Sequence, residues 1–177
     1  CALSGIPVRD MTSLNSSVQG DTVSRLVAER INIALVVVFV ILSAVYSIIN
    51  PVFEAPDEVY HFPYIKHLAD GRGLPVQQVG NHELWEQEGS QPPLYYAISA
   101  LLTRWLDTDD LATVRTLNPH ATIGIPLAQD NKNMVVHGAW ERWPWRRTVL
   151  AVHLVRFFSV LLGAGTLWGT GKLALAL

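Results

Sequence analysis

Four ionisable side chains fall within eight residues of the segment PVFEAPDEVYHF, namely Glu54, Asp57, Glu58 and His61. Carboxylates can accept protons or bind cations, and histidine titrates near neutral pH, so these residue types suit acid–base or metal chemistry. If a helix begins here, Asp57 and His61 share one of its faces, one turn apart. Carboxylates at a helix start also stabilise the helix dipole by about 0.3–1 kcal/mol. The spacing therefore leaves open a catalytic site or an acidic helix start without chemistry.

A metal site based on Asp57 and His61 would require further ligands, because zinc sites use three or four and calcium sites several oxygens. These two residues are candidate ligands, and a divalent cation is a candidate cofactor. The chain has one cysteine, Cys1, which excludes an internal disulfide and a thiolate cluster. Four further histidines carry no signal individually: His67, His82, His120 and His137.

The elements that would position these residues begin with an apolar run at residues 31–49, which holds no charge. At about 1.5 Å per residue, such a helix nearly matches a hydrocarbon core of about 30 Å. Only 16% of the chain is charged, against roughly 25% in soluble domains. The net charge of -2 gives no basic field that would attract nucleic acid. We therefore predict a transmembrane helix at residues 31–49, after a tail at residues 1–30.

Charges on either side of this helix predict its orientation. Three basic residues precede it, whereas the acidic residues of PVFEAPDEVYHF follow it. Because basic residues favour the cytoplasmic side, we expect the N-terminus in the cytoplasm and residues 50–147 in the first extracytoplasmic loop. The protein is then a multi-pass protein of the plasma membrane.

A second transmembrane helix is predicted at residues 148–177, which stop within an apolar run. Arg156 would cost about 2.5–3.5 kcal/mol at mid-bilayer, so we expect it near the outer interface. Tryptophans preceding this helix are expected at headgroup level. Small residues let membrane helices pack closely, which is the role expected of Gly163, Gly165, Gly169 and Gly171. The chain is interpreted as an N-terminal fragment of a longer protein.

Within the loop, two surface helices are predicted. The first covers about residues 56–70, with a proline and two acidic residues in its first turn, and Pro63 inside it could cause a kink or an early end. The second covers about residues 92–106, and its apolar part is too short for an ordinary span. Residues 108–147 are rich in Asn, Pro and Gly, which predicts mostly irregular structure.

The order of PDEVYHF after a first membrane helix, then SQPPLYYAISALLTRW, then VRFFSVLLGAG resembles the N-terminal part of bacterial GT-C membrane glycosyltransferases. That superfamily includes the protein O-mannosyltransferase and aminoarabinose-transferase families and a related uncharacterised group with a P-D-E-x-x-H-F start. The resemblance covers about residue 50 to the C-terminus. It implies an all-α, polytopic helix bundle completed by further transmembrane helices of the same full-length chain.

The resemblance also implies an activity, namely transfer of a glycosyl group from a polyprenyl-phosphate-linked donor to an acceptor at the outer face of the cytoplasmic membrane. Its partners would be this lipid-linked sugar donor and membrane lipid. By position, Asp57 matches the family's first-loop acidic residue, the candidate general base. Glu58 would orient the acceptor or a metal ion, and His61 in the same motif is a candidate substrate-binding residue.

One position departs from the family pattern, because several relatives carry His or Lys before Pro-Pro-Leu and this chain carries Gln91. Gln91 remains a candidate substrate-binding residue, but a neutral amide cannot neutralise a phosphate. The leaving phosphate would then need guanidinium groups, which bind phosphate through two parallel hydrogen bonds. The candidates are Arg104, Arg146, Arg147 and Arg156, or residues of the full-length protein beyond this fragment.

Two functions of different classes follow from these observations. One is the membrane glycosyltransferase. The alternative is a non-catalytic polytopic membrane protein, a transport or envelope-assembly scaffold, that shares the architecture. A divalent cation with a purely structural role in the acidic loop is a third interpretation.

Overall fold

The computed structural model describes residues 8–78, 80, 82–121, 127, 129 and 131–176, with side chains from residue 24 onward. Within these residues the protein is all-helical and contains no strand, only one isolated bridge between Leu117 and Val135. The α-helices are α1 (Val8–Ile49), α2 (Glu58–Ala69), α3 (Pro93–Thr103), α4 (Leu111–Val114) and α5 (Arg147–Ala176). Two short 3-10 helices cover Glu86–Ser90 and Ala139–Glu141.

Two of these helices are long and apolar enough to cross a membrane, Ser24–Ile49 within α1 and Arg147–Ala176. Helix α1 begins well before the predicted start at residue 31. The hydrocarbon thickness limits the apolar part of a helix and not the helix itself, and residues 8–30 contain no proline to end it. Helix α3 has 11 residues, which is too short to cross a hydrocarbon core of about 30 Å.

The chain divides into two compact units, residues 1–43 with 161–177, and residues 44–160. In the first unit, Asn32 donates a hydrogen bond to the carbonyl oxygen of Trp168 (3.3 Å), and Lys172 forms an ion pair with Glu29 (2.7 Å). A Cβ on Gly171 would overlap the Asn32 amide, and one on Gly163 would lie 2.6 Å from the Phe39 ring. A Cβ on Gly165 or Gly169 would meet no described atom within 4 Å. Two of the four glycines therefore permit close helix packing here.

The second unit has two apolar clusters, both of which include α2 residues. One joins α2 to α4 and the start of α5, through Val52, Phe53, Val59, Phe62, Leu111, Val114, Val135, Val149, Ala151 and Val152. The other joins α2 to α3 through Tyr64, Ile65, Trp85, Tyr96, Ala100 and Val155. Helix α3 buries Tyr96, Ala100 and Thr103 and exposes large apolar side chains on its other face: Leu94, Leu101, Leu102 and, just beyond the helix, Trp105. An exposed apolar face of this kind is compatible with a helix on a membrane surface.

Helix α2 starts later than the predicted range of residues 56–70, and Pro63 does not end it. It begins at Glu58, so Asp57 is the residue before the helix and not part of its first turn. It also continues past Pro63 to Ala69. Proline has no N–H and leaves the carbonyl four residues earlier without its helical partner. That carbonyl belongs to Val59, and Arg115 Nε donates a hydrogen bond to it at 2.7 Å.

The region predicted as irregular, residues 108–147, contains α4 and the 3-10 helix Ala139–Glu141. Val135 and Leu111 from this region are buried in the first apolar cluster. The local Asn, Pro and Gly content therefore describes the short elements of this region well, but it does not reveal that they supply part of the core.

Candidate functional site

Glu58 is paired with Arg156 through two parallel hydrogen bonds of 2.6 Å each. The remaining guanidinium protons bond three carbonyl oxygens at the end of α1 and just after it, those of Ser47, Asn50 and Pro51. Arg156 is 9% exposed, and these contacts occupy all five of its N–H donors. Glu58 Oε2 also accepts the Phe53 amide proton at 2.8 Å. The ion pair thus holds the end of α1, and the residues just after it, against helices α2 and α5.

This geometry changes the interpretation of two predicted site residues. A guanidinium whose donors are all used by the protein has none left for a phosphate, so Arg156 does not serve the phosphate role expected of it. Glu58, held at both oxygens, is likewise poorly placed to orient an acceptor or a metal ion. Breaking a buried ion pair of this type costs about 3–5 kcal/mol, because the remaining charge is left without a partner. Both residues are therefore held by contacts within the fold.

Glu54 is also committed to the fold. Its carboxylate accepts the amide protons of Met134 (3.0 Å) and Val135 (3.2 Å) and contacts His137 Nε2 at 2.8 Å. The other ring nitrogen, Nδ1, lies 2.6 Å from Glu141. Burial disfavours the imidazolium, but the hydrogen bonds to Glu141 and Glu54 outweigh this effect and raise the pKa of His137. His137, which carried no individual signal in the sequence, therefore links residues 134–141 to the start of the loop.

Asp57 differs from its two acidic neighbours. Its side chain is exposed and forms no hydrogen bond or ion pair with any residue that the structure describes. Its backbone is left-handed, with φ 59°, a conformation that is uncommon outside glycine and is tolerated by Asp and Asn. Its carbonyl oxygen accepts the amide protons of Tyr60 and His61, both at 2.9 Å. Asp57 is thus a fixed backbone position that presents an uncommitted carboxylate.

His61 lies on α2, one turn after Asp57, and its ring contacts two residues from other elements. Nδ1 is 2.7 Å from the Tyr96 hydroxyl of α3 and 3.3 Å from Glu88 Oε2 of the 3-10 helix Glu86–Ser90. Tyr96 also stacks on Tyr64, with ring centroids 4.0 Å apart. The side chain of His61 is 37% exposed, whereas that of Glu88 is 6% exposed. One edge of the imidazole therefore faces the protein interior and the rest is accessible.

The other predicted substrate-binding residues lie at the protein surface, and the Gln91 amide donates to the Glu88 carbonyl oxygen at 3.0 Å. Gln91 and Arg104 are exposed, and Arg104 follows directly after α3 beside the exposed Leu101 and Trp105. Arg147 is engaged with Asp107 at 2.7 Å. Arg104 and Arg146 are therefore both exposed cations, and Arg104 lies beside exposed apolar side chains.

The donors around Asp57 and His61 do not form a metal centre. Nowhere in the described ranges do three His, Cys, Asp or Glu side chains converge as a set that could hold a metal ion. The interior-facing nitrogen of His61 is directed at Tyr96 and Glu88. A divalent cation at Asp57 and His61 stays a prediction, and no step proposed below uses one.

No protein-family model, curated protein or solved structure matches this chain. Sequence inspection selected Asp57 and His61 but missed Glu88, Tyr96 and His137, whose partners are distant along the chain. The sequence signal for Glu88 is an acidic residue three positions after Trp85, in a segment that precedes an apolar helix.

Proposed function

We propose that this protein transfers a glycosyl group from a polyprenyl-phosphate-linked donor to an acceptor hydroxyl at the outer face of the plasma membrane, with Asp57 as the general base. The proposal takes its reaction class from the resemblance to GT-C glycosyltransferases. It is supported by a helical chain with two candidate membrane-spanning helices and a compact unit at residues 44–160.

One observation carries the assignment of the base, the contrast among the three carboxylates after α1. Glu54 and Glu58 are held by the fold, whereas the Asp57 carboxylate is exposed and has no bonding partner in the described part of the chain. A base must be ionised and accessible to the proton that it removes. Asp57 is the carboxylate of this group that is accessible.

In the proposed reaction, the Asp57 carboxylate takes the proton of the acceptor hydroxyl, and the hydroxyl oxygen forms a bond to the anomeric carbon of the sugar. The bond from that carbon to the phosphate oxygen breaks, and its electron pair leaves with the polyprenyl phosphate. Arg104 is the proposed cation for this phosphate. It lies beside exposed apolar side chains, a suitable setting for a phosphate attached to a lipid tail.

Replacing Asp57 with Asn tests the proposal, because the amide keeps the size of the side chain and removes its basicity. We expect transfer to fall by about 10²–10⁴-fold with near-normal expression. The assay would use membranes containing the full-length protein and radiolabelled polyprenyl-phosphate sugars. Asp109→Asn is the matched control, since Asp109 is also exposed but lies outside the motif. Retention of near wild-type transfer by the Asp57 variant would remove Asp57 as the base.

The alternative is a non-catalytic membrane scaffold, and the commitment of Glu54 and Glu58 to ion pairs favours it specifically. In that case the acidic segment serves to hold residues 47–51, at and just after the end of α1, against α2 and Arg156, and Asp57 is a helix-start residue. The full-length protein would then show no Asp57-dependent transfer with any lipid-linked sugar, while stability would still depend on Glu54 and Glu58.

A further inference from the structure

The buried carboxylate of Glu88 has an unmet hydrogen-bonding requirement. Glu88 is 5% exposed, and its Oε2 has no hydrogen-bond partner in the described residues. Its other oxygen, Oε1, accepts a proton from Gln87 Nε2 at 3.3 Å. The nearest polar atom recorded for Oε2 is His61 Nδ1, 3.3 Å away. A buried acceptor without a donor is unfavourable, so Glu88 favours any arrangement that directs a proton toward it.

His61 can supply that proton in one of its two neutral tautomers. When Nδ1 carries the proton, the positive N–H edge of the ring lies 3.3 Å from the unpaired Glu88 Oε2, while its hydrogen-bond partner is the Tyr96 hydroxyl oxygen at 2.7 Å. When Nε2 carries it, the Nδ1 lone pair faces Glu88 and only the Tyr96 hydroxyl can donate to the ring. Burial, and secondarily the charge of Glu88, raise the pKa of Tyr96 to about 12, so its hydroxyl remains a neutral phenol. The carboxylate therefore decides between the tautomers.

We propose that Glu88 is a positioning residue that holds His61 in the Nδ1–H tautomer, so that Nε2 presents a lone pair to a hydroxyl-bearing ligand. His61 Nε2 forms no hydrogen bond with a described residue, and the side chain is partly exposed. A lone pair accepts a hydrogen bond from an alcohol and repels a phosphate oxygen. His61 is thus a hydroxyl-binding residue beside Asp57, and the phosphate must be bound elsewhere.

Identification of this hydroxyl with the glycosyl acceptor rests on the proposed function, whereas the tautomer itself does not. In the proposed reaction, His61 Nε2 would orient the acceptor hydroxyl whose proton Asp57 removes. The two residues are adjacent in the fold, since the Asp57 carbonyl oxygen accepts the His61 amide proton at 2.9 Å. The imidazole would favour alcohols over anionic ligands. Gln91 is neutral, and it also does not attract anionic ligands.

Nitrogen NMR of the full chain, labelled with ¹⁵N-histidine and reconstituted in lipid, can measure this tautomer without any substrate. The His61 signals are identified among the six histidines by their loss in His61→Gln. At pH 9, above the usual histidine range, we expect the Nδ1–H form to exceed the Nε2–H form by at least about tenfold. A dominant Nε2–H form, or a ring protonated at both nitrogens, would overturn the proposal.

Three variants assign the cause of the tautomer. Glu88→Gln should reduce the excess of the Nδ1–H form several-fold, whereas Glu86→Gln, an exposed residue of the same 3-10 helix, should leave it unchanged. Tyr96→Phe should retain the Nδ1–H form, because Glu88 remains. An unchanged tautomer in Glu88→Gln, or its loss in Tyr96→Phe, would reject Glu88 as the positioning residue. These outcomes are independent of the Asp57 transfer assay, so either proposal can fail alone.

Discussion

At the scale of single residues, Arg156 shows how a charge is accommodated within the candidate membrane-spanning helix Arg147–Ala176. An unpaired arginine in hydrocarbon is costly, but here each guanidinium proton has an acceptor in Glu58 or in a backbone carbonyl. The three carbonyls come from the end of α1 or the residues just after it, where carbonyls lack intrahelical partners. The same five contacts therefore neutralise the charge and satisfy the end of a helix.

Arg156→Lys tests this arrangement, because lysine keeps the charge but has three donors in place of five. We expect the free energy of unfolding to fall by about 2 kcal/mol, since buried acceptors lose their partners. Thermal unfolding of the detergent-purified protein measures the change. Arg104→Lys is the control, as Arg104 is exposed and should change stability by less than about 0.5 kcal/mol. Equal effects of the two substitutions would contradict the structural role of Arg156.

His137 gives a pH dependence whose sign follows from its contacts. Both ring nitrogens face carboxylates, those of Glu54 and Glu141, and both can donate only in the imidazolium. The pKa of His137 is raised in the folded protein. Its contribution to stability is therefore fully present below the unfolded value of about 6.5 and is lost as pH rises through the folded value.

We expect His137→Gln to lower the melting temperature by about 3 °C at pH 6 and by less at pH 9. Melting curves of both proteins across this pH range give the difference. His120→Gln provides the control, because His120 is exposed and its side chain has no partner among the described residues. A difference between wild type and His137→Gln that grew with pH would show that the imidazolium is not the stabilising form.

At the scale of elements, the contact between residues 29–39 of α1 and residues 163–172 of α5 in the first unit depends on two glycines. Gly171 and Gly163 face Asn32 and Phe39, whereas Gly165 and Gly169 face no described atom. Small residues allow helices in a membrane to approach closely, and packing and hydrogen bonds then stabilise the pair. The hydrogen bond from Asn32 to the Trp168 carbonyl lies in this contact.

Gly171→Ala should displace the short Asn32 side chain and its hydrogen bond, at a cost of about 1–2 kcal/mol. Gly165→Ala places the same methyl group where nothing described lies within 4 Å, and it should be neutral or slightly stabilising because alanine favours helix more than glycine does. Thermal unfolding in detergent compares the two variants. Greater destabilisation by Gly165→Ala would show that the open glycines, and not Gly171, form the main helix contact.

At the scale of the whole molecule, the proposed function requires the segment between the two candidate membrane-spanning helices to lie outside the cytoplasm. Alkaline phosphatase is active only after export, so a fusion after Gly80 should be active and one after Gly20, before the first candidate span, inactive. The physical reason is the basic flank before this span and the acidic flank after it. The opposite pattern would place Asp57 on the cytoplasmic side and exclude a donor delivered outside.

Patterns in the sequence predicted the helices, whose formation depends on neighbouring residues. Apolar runs and turn residues predicted two membrane-length helices and surface helices near those observed at Glu58–Ala69 and Pro93–Thr103. Such signals are local, since hydrophobic length and proline or glycine positions act within a few turns. They also indicated the acidic segment as a candidate site, but they could not show which of its three carboxylates is accessible.

Which of the three carboxylates is accessible depends on tertiary contacts. Glu58 meets Arg156 across 98 positions of sequence, and Glu54 meets His137 across 83. Helix α2 likewise continues past Pro63 with the help of a distant residue. Arg115, 56 positions from Val59, donates a hydrogen bond to the Val59 carbonyl that Pro63 leaves without its helical partner. Partners this distant are brought together by the packing of α2 against the start of α5 and residues 134–141, so the local pattern cannot contain them. Asp57 is left as the accessible carboxylate because that packing engages its two neighbours and not Asp57 itself.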